Sequence, residues 1–110
     1  MVNYSDQQLN QIFSALSDPT RRAMLLKLTN EAMSVTDLSE PFNISKSAIT
    51  KHVKVLENSG LLSRTIEGRV HRCQLEPKPL AVISEWVSFY EKFWNNKLDA
   101  LDAYLMEENK

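Results

Sequence analysis

The sequence predicts a mainly α-helical domain with one small β-hairpin. Apolar residues recur every three or four positions through most of the chain, whereas one short central stretch holds residues typical of strands. At 110 residues the chain is long enough for one domain of ordinary size and too short for two. We therefore assign residues 1–110 to one domain.

Two helices are predicted at the start of the chain. In residues 6–16 the apolar side chains have helical spacing, and Ser5 or Asp6 can cap the first turn. A second helix follows Asp18 and Pro19, because Asp accepts the free amide hydrogens of a first turn and Pro is tolerated there.

Residues 35–59 have the pattern of two helices joined by a tight turn. Ser34 can cap a short helix, which Pro41 interrupts. Ser45 can cap a longer helix that ends before Gly60. This order is that of a helix-turn-helix motif.

A β-hairpin and a long helix complete the chain. Residues 61–75 form two segments of moderate strand character around a turn at Glu67 and Gly68. A hairpin directly after a helix-turn-helix is a wing. Over residues 79–106 apolar side chains again recur at helical spacing, which predicts one long helix. The expected fold is a winged helix-turn-helix that dimerises through its first and last helices.

The charges are distributed unequally, although the formal net charge is only -1. Residues 45–72 carry six basic and two acidic side chains, whereas residues 73–110 carry four basic and seven acidic ones. A polyanion would therefore be attracted to the middle of the chain.

The outer side of the second motif helix and the wing are expected to bind DNA. Small hydroxyl side chains can approach base edges or phosphates, and lysines neutralise phosphates. Wing arginines can reach the minor groove or the backbone, with Arg69 the best single candidate. The alternative is a solvated helix face beside an edge hairpin kept soluble by its charges. The expected DNA-binding residues are Ser45, Lys46, Ser47, Thr50, Lys51, Lys54, Arg64, Arg69 and Arg72.

The predicted last helix has two apolar faces, and a monomer could bury only one of them. The second face, with the first helix, is expected to form the interface of a homodimer, which would double the contacts to a palindromic site. A helix packed wholly in its own core and a ligand pocket around Trp86 and Trp94 are the alternatives. The expected interface residues are Leu9, Ile12, Phe13, Leu16, Trp86, Phe89 and Phe93.

The sequence gives no sign of an enzyme, a cofactor or a metal centre. Two histidines and one cysteine lack motif spacing; His52 is expected to pack against or cap a neighbour, and His71 to face solvent. With no apolar stretch of membrane-spanning length and no secretion signal, a cytoplasmic protein that does not bind membranes is expected. The single Cys73 fits a reducing compartment.

Three segments carry a resemblance to a known family: FSALSDPTRRAMLLKL, SVTDLSEPFNISKSAITKHVKVLENSGLLSR and EGRVHRCQL. Together they resemble the ArsR/SmtB family of winged-helix repressors. The resemblance implies a homodimer that represses transcription by binding an operator. Many members hold a metal through a Cys-Val-Cys segment, where this chain has Ser34, Val35 and Thr36. Others use Asp, His and Glu of the last helix, and this chain has no histidine after His71. The chain therefore resembles the metal-independent branch.

The sequence thus predicts a sequence-specific transcriptional repressor that binds a palindromic operator in double-stranded DNA as a homodimer and can regulate its own gene. Two other functions stay open, a winged-helix protein-interaction module and a sensor that responds to a small molecule. The effector ligand, the operator sequence and the regulated genes are not predicted.

Overall fold

The computed structural model describes residues 5–108, which form five helices and three strands. The elements are α1 (Asp6–Leu16), α2 (Pro19–Leu28), β1 (Met33–Ser34), α3 (Val35–Ser39), α4 (Lys46–Asn58), β2 (Leu62–Glu67), β3 (Val70–Leu75) and α5 (Lys78–Glu108). This mainly helical architecture with a small hairpin confirms the predicted winged helix-turn-helix.

Side-chain caps start the first four helices. Ser5 caps α1, accepting the amide hydrogen of Gln8 at 3.2 Å and donating its own amide hydrogen to the Gln8 side chain at 2.8 Å. Asp18, Ser34 and Ser45 each accept one amide hydrogen of the helix that they precede, at 3.0 to 3.1 Å. Each cap satisfies an N–H group that has no partner in its helix.

The hairpin belongs to a three-stranded antiparallel sheet with the order β1-β3-β2. The sequence predicted only β2 and β3. Strand β1 pairs Met33 with Cys73 and Ser34 with Arg72. Two residues are too few to show any periodicity, so β1 is a strand only because β3 lies beside it.

The chain divides into two compact units, one up to Leu80 and one from Ala81 onward. In the first unit, apolar side chains from the helices and the sheet meet in one core. This core holds α3, α4 and the hairpin in fixed positions, since each fully buried aliphatic side chain contributes about 1.5 to 3 kcal/mol. Its members are Ile12, Ala15, Met24, Leu25, Leu28, Leu38, Ile49, Val53, Leu56, Leu61, Leu62 and Cys73.

The second unit is helical from Ala81 to Glu108 and exposes many large apolar side chains. They are Trp86, Val87, Phe89, Tyr90, Phe93, Trp94, Leu98, Leu101, Tyr104, Leu105 and Met106. None of the helices in residues 5–108 combines the length and the hydropathy that crossing a membrane requires.

Candidate nucleic-acid interface

Helix α4 has an apolar side and a polar side. Ile49, Val53 and Leu56 are at most 3% exposed and anchor the helix in the core. The predicted DNA-binding side chains in α4 and at its cap are all exposed: Ser45, Lys46, Ser47, Thr50, Lys51 and Lys54. The helix therefore presents hydroxyl and ammonium groups to solvent.

Hydrogen bonds hold the hydroxyl groups at the start of α4 in place. Ser45 Oγ accepts the amide hydrogen of Ala48 and lies 3.2 Å from Ser47 Oγ. Thr50 Oγ1 donates to the carbonyl oxygen of Lys46 at 3.0 Å. With its hydrogen used in this way, the Thr50 hydroxyl can accept from a base amino group but cannot donate to a phosphate.

The lysines of α4 are not neutralised by carboxylates. Within residues 5–108, no Asp or Glu oxygen lies within 4.0 Å of the Lys46, Lys51 or Lys54 ammonium groups. Their positive charge is available to an external anion.

The two strands of the wing separate the predicted arginines. Successive residues of a strand point to opposite faces, and cross-strand partners share a face. Arg64 pairs with the buried Cys73, whereas Arg72 pairs with Thr65. Arg64 therefore lies on the inner face of the wing and Arg72 on the outer face, where Arg72 Nε is 3.8 Å from Oε2 of Glu67.

Arg64 is bound to the end of α4. Its Nε donates to Oε2 of Glu57 at 3.3 Å, and its Nη2 donates to Oε1 of Glu57 at 2.8 Å. The hydrogen bond from Arg64 lowers the pKa of Glu57, and Glu57 raises the pKa of Arg64. This ion pair joins α4 to β2 and so helps to set the position of the wing. The sequence analysis missed it, because Arg64 was considered only as a ligand of DNA or as a charge that keeps the hairpin soluble.

Arg69 stands at the tip of the wing. Gly68 and Arg69 form the two-residue turn between β2 and β3, and the φ of 63° at Gly68 is one that glycine adopts without strain. Arg69 is exposed, and its guanidinium has no hydrogen-bond or ion-pair partner in the described part of the chain.

A cleft of about 430 Å³ lies between the start of α3, α4 and the wing. No carboxylate lines it. Its lining residues are Ser34, Val35, Thr36, Thr50, Arg64, Arg69, Val70 and His71.

His71 is only partly exposed, contrary to the prediction that it faces solvent. Its Nδ1 is a buried side-chain atom without a hydrogen-bond partner, and no other such atom occurs among residues 5–108. The strand alternation contains the signal for this placement, because His71 precedes the buried Cys73 by two residues and therefore shares its face.

His52 contacts the start of α2. Its Nδ1 accepts a hydrogen bond from Arg21 Nη1 at 3.2 Å and lies 3.9 Å from Oδ2 of Asp18. These contacts agree with the expectation that His52 packs against or caps a neighbour.

The residues predicted for a dimer interface differ in exposure. Ile12 is fully buried in the core of the first unit, so it has no surface left for a second chain. That part of the prediction is corrected, because an amphipathic stripe does not reveal which neighbour covers it. Leu9 and Leu16 are partly exposed, and Phe13, Trp86, Phe89 and Phe93 are exposed.

The described residues contain no group of three or more His, Cys, Asp or Glu side chains that could hold a metal ion. Cys73 is buried, and this burial raises the pKa of its thiol.

Comparisons with known proteins agree with the winged helix-turn-helix fold. A family model described as a helix-turn-helix domain matches residues 16–65. The chain is 39% identical over 61 residues to the transcriptional repressor SdpR of Bacillus subtilis, which covers 56% of this chain and 68% of that protein. It is 31% identical over 81 residues to the arsenical resistance operon repressor of Staphylococcus xylosus, covering 74% of this chain and 78% of that protein.

A solved structure gives the same result. The crystal structure of an ArsR family transcriptional regulator matches with a TM-score of 0.76 and 38% sequence identity, covering 80% of this chain and 97% of the other. The chain therefore belongs to the ArsR family of helix-turn-helix proteins and is a DNA-binding transcriptional regulator.

Proposed function

We propose that the chain is a repressor that binds a palindromic operator as a homodimer, with α4 in the major groove and the wing on the adjacent backbone or minor groove. The observation that carries this proposal is the polar side of α4, where exposed lysines and hydroxyls occur together without a neutralising carboxylate within 4.0 Å in the described chain. Such a role needs binding and no catalytic step. As a regulator of genes, it would work in the cytoplasm.

The predicted DNA ligands fall into two sets. Ser45, Ser47 and Thr50 suit contacts with base edges, because short side chains allow the helix to enter the groove. The lysines of α4 and Arg69 suit contacts with phosphates. Arg64 and Arg72 each engage a carboxylate, yet a guanidinium has five donors, so both keep donors for the DNA backbone.

The homodimer is proposed from the second unit. Large exposed apolar surfaces mark interaction sites, and aromatic residues are enriched in them. The rings of Phe89 and Tyr90 lie 5.3 Å apart edge to face, and those of Phe93 and Trp94 lie 6.5 Å apart. Rings that already contact each other lose less conformational freedom when a partner covers them. The occupant that we propose is a second copy, since an operator of two half-sites requires two copies of α4.

Regulation without a metal is part of the proposal. Ser34 stands where the resemblance placed a thiolate ligand, and its Oγ accepts the amide hydrogen of Asp37 as a helix cap. A hydroxyl in this role is a poor substitute for a thiolate toward a soft metal ion.

Fluorescence anisotropy with DNA from upstream of the chain's own gene tests the proposal. Wild-type binding should weaken steeply with salt, and Lys51→Ala combined with Arg69→Ala should lower affinity at least tenfold and reduce the salt slope, because each lost phosphate contact removes about 0.9 from it. Lys92→Ala, an exposed lysine of α5, is the matched control and should bind as the wild type does. A wild type without preference for this DNA over bulk competitor would overturn the proposal.

A further inference from the structure

We propose that the cleft between α3, α4 and the wing is a binding site for a phosphate-type oxyanion, supplied either by the DNA backbone or by free phosphate. For the DNA source the inference rests on the proposed function, whereas for free phosphate it stands apart from it.

The charge of the cleft is the first argument. Two guanidinium groups and an imidazole line it, on Arg64, Arg69 and His71, and no carboxylate does. Guanidinium groups match the geometry of phosphate oxygens and bind them through paired hydrogen bonds. A volume of about 430 Å³ falls within the range of roughly 300–1,000 Å³ that small-ligand sites occupy.

The His71 ring has one nitrogen that can donate to a bound anion. Its buried Nδ1 has no partner, and a proton on that atom would leave an unsatisfied N–H group in the interior. The tautomer with the proton on Nε2 avoids this cost. Nε2 is not one of the buried unpartnered atoms and has no partner in the described chain, so it is open to solvent as a hydrogen-bond donor.

Two hydroxyl groups of the cleft are also able to donate, those of Ser34 and Thr36, whereas the Thr50 hydrogen is already bound to the Lys46 carbonyl oxygen. Ser34 Oγ accepts the amide hydrogen of Asp37 at 3.1 Å, which leaves its own hydroxyl hydrogen free to donate. The Thr36 hydroxyl has no partner among residues 5–108 and is exposed. Within residues 5–108 the lining side chains thus offer several donors and no carboxylate, with Glu57 bound to Arg64 from outside the lining, and this favours an oxyanion over a cation.

The ion pair with Glu57 prepares Arg64 for this role. Two of its nitrogens are held by the carboxylate, while Nη1 makes no hydrogen bond to the described residues. Because the guanidinium is already fixed, less rotational freedom is lost when an anion binds. Arg69, without such a contact, completes the site from the tip of the wing.

The cleft overlaps the proposed DNA-binding surface. Thr50 of α4 and Arg69 of the wing line the cleft and also belong to the proposed DNA ligands. Free phosphate should therefore lower the affinity for DNA more than chloride does at equal ionic strength.

The first arm of the test uses the full chain and inorganic phosphate. In nitrogen-15 NMR titrations at constant ionic strength, the Arg64 and Arg69 Nε–H signals and the His71 ring signals should shift saturably, with a dissociation constant in the millimolar range. Arg69→Gln and His71→Phe should each weaken this binding at least tenfold. Lys92→Gln should leave it unchanged. Arg69 is exposed at a turn, so Arg69→Gln keeps the test decisive even if His71→Phe does not fold.

The second arm uses DNA in which one phosphate at a time is replaced by a neutral methylphosphonate. At one position per half-site the replacement should weaken wild-type binding about tenfold and Arg69→Gln binding by less than twofold. Saturable NMR shifts with phosphate, without a dependence of the methylphosphonate effect on Arg69, assign the site to free phosphate. That dependence without NMR shifts assigns the site to the DNA backbone. If both signals occur, the site binds both free phosphate and the DNA backbone. If the wild type binds DNA but neither signal occurs, the cleft proposal fails and the proposed function stands. If the wild type binds no DNA, the proposed function fails and the phosphate titration alone decides the cleft.

Discussion

The two units of the molecule differ in how their apolar side chains are covered. In the first unit, Ile49, Val53 and Leu56 of α4 lie in a common core with Leu62 and Cys73 of the sheet. In the second unit, every described residue from Ser84 to Glu108 is exposed, including its aromatic ones. The first unit therefore carries its own core, whereas the apolar side chains of the second unit are left exposed in the single chain.

The largest effect is expected from the core of the first unit. Leu56→Ala should lower the free energy of unfolding by about 3 kcal/mol, because the side chain is fully buried and its removal leaves a cavity. Leu26→Ala, at a leucine of α2 that is 71% exposed, should change it by less than about 0.5 kcal/mol. Urea unfolding measures both values. Equal losses from the two variants would refute the assignment of the core.

A substitution in the second unit should change self-association rather than folding. Phe93→Glu places a charge on the aromatic surface and should raise the dissociation constant of the proposed homodimer about 30-fold, the equivalent of about 2 kcal/mol at an interface hot spot. Sedimentation velocity measures the shift toward monomer. Asn96→Glu adds the same charge to an exposed polar position of the helix and should leave the dimer intact. A dimer unaffected by Phe93→Glu, or a wild-type monomer, would refute the proposed homodimer interface.

The ion pair between Arg64 and Glu57 joins α4 to the wing inside the first unit. Glu57→Gln removes the charge that holds Arg64 and should lower DNA affinity a few-fold while leaving the salt slope unchanged, since no phosphate contact is lost. The cost in stability should be no more than about 1 kcal/mol, because both side chains are partly exposed. Glu31→Gln, at an exposed residue outside this pair, is the control. A changed slope would mean that Arg64 gains or loses a phosphate.

The sequence was sufficient where structure depends on near neighbours. Ser5, Asp18 and Ser45 were recognised as candidate caps because a cap bonds to an amide only a few residues away. The bond between Arg64 and Glu57 was missed because it crosses a turn, and β1 was missed because only its partner defines it. Ile12 was assigned to an interface because periodicity identifies an apolar face without identifying what lies against it.

The Asp18 cap predicts a small dependence of stability on pH. The backbone hydrogen bond from Arg21 is the main cause of its lowered pKa, so the ionised carboxylate stabilises the folded chain. That contribution is complete above the ordinary pKa of 3.8 and is lost as the pH falls through the lower folded-state pKa. Asp18→Asn keeps a capping oxygen but cannot titrate, so its unfolding free energy should fall less between pH 5 and pH 3. Identical slopes in urea unfolding would contradict this role of the carboxylate.

The rate of thiol labelling at Cys73 allows the burial of the two units to be compared. It lies fully buried in β3 at the centre of the first unit, and burial raises the pKa of its thiol. Since the thiolate is the reactive form, a thiol reagent should label the native chain far more slowly than the chain unfolded in urea. A Tyr104→Cys change in the exposed second unit, made in a Cys73→Ala background, should be labelled quickly in the native state. Fast labelling of Cys73 in the native chain would mean that the sheet opens readily. The first unit would then be less stable against local opening than the burial of its core indicates.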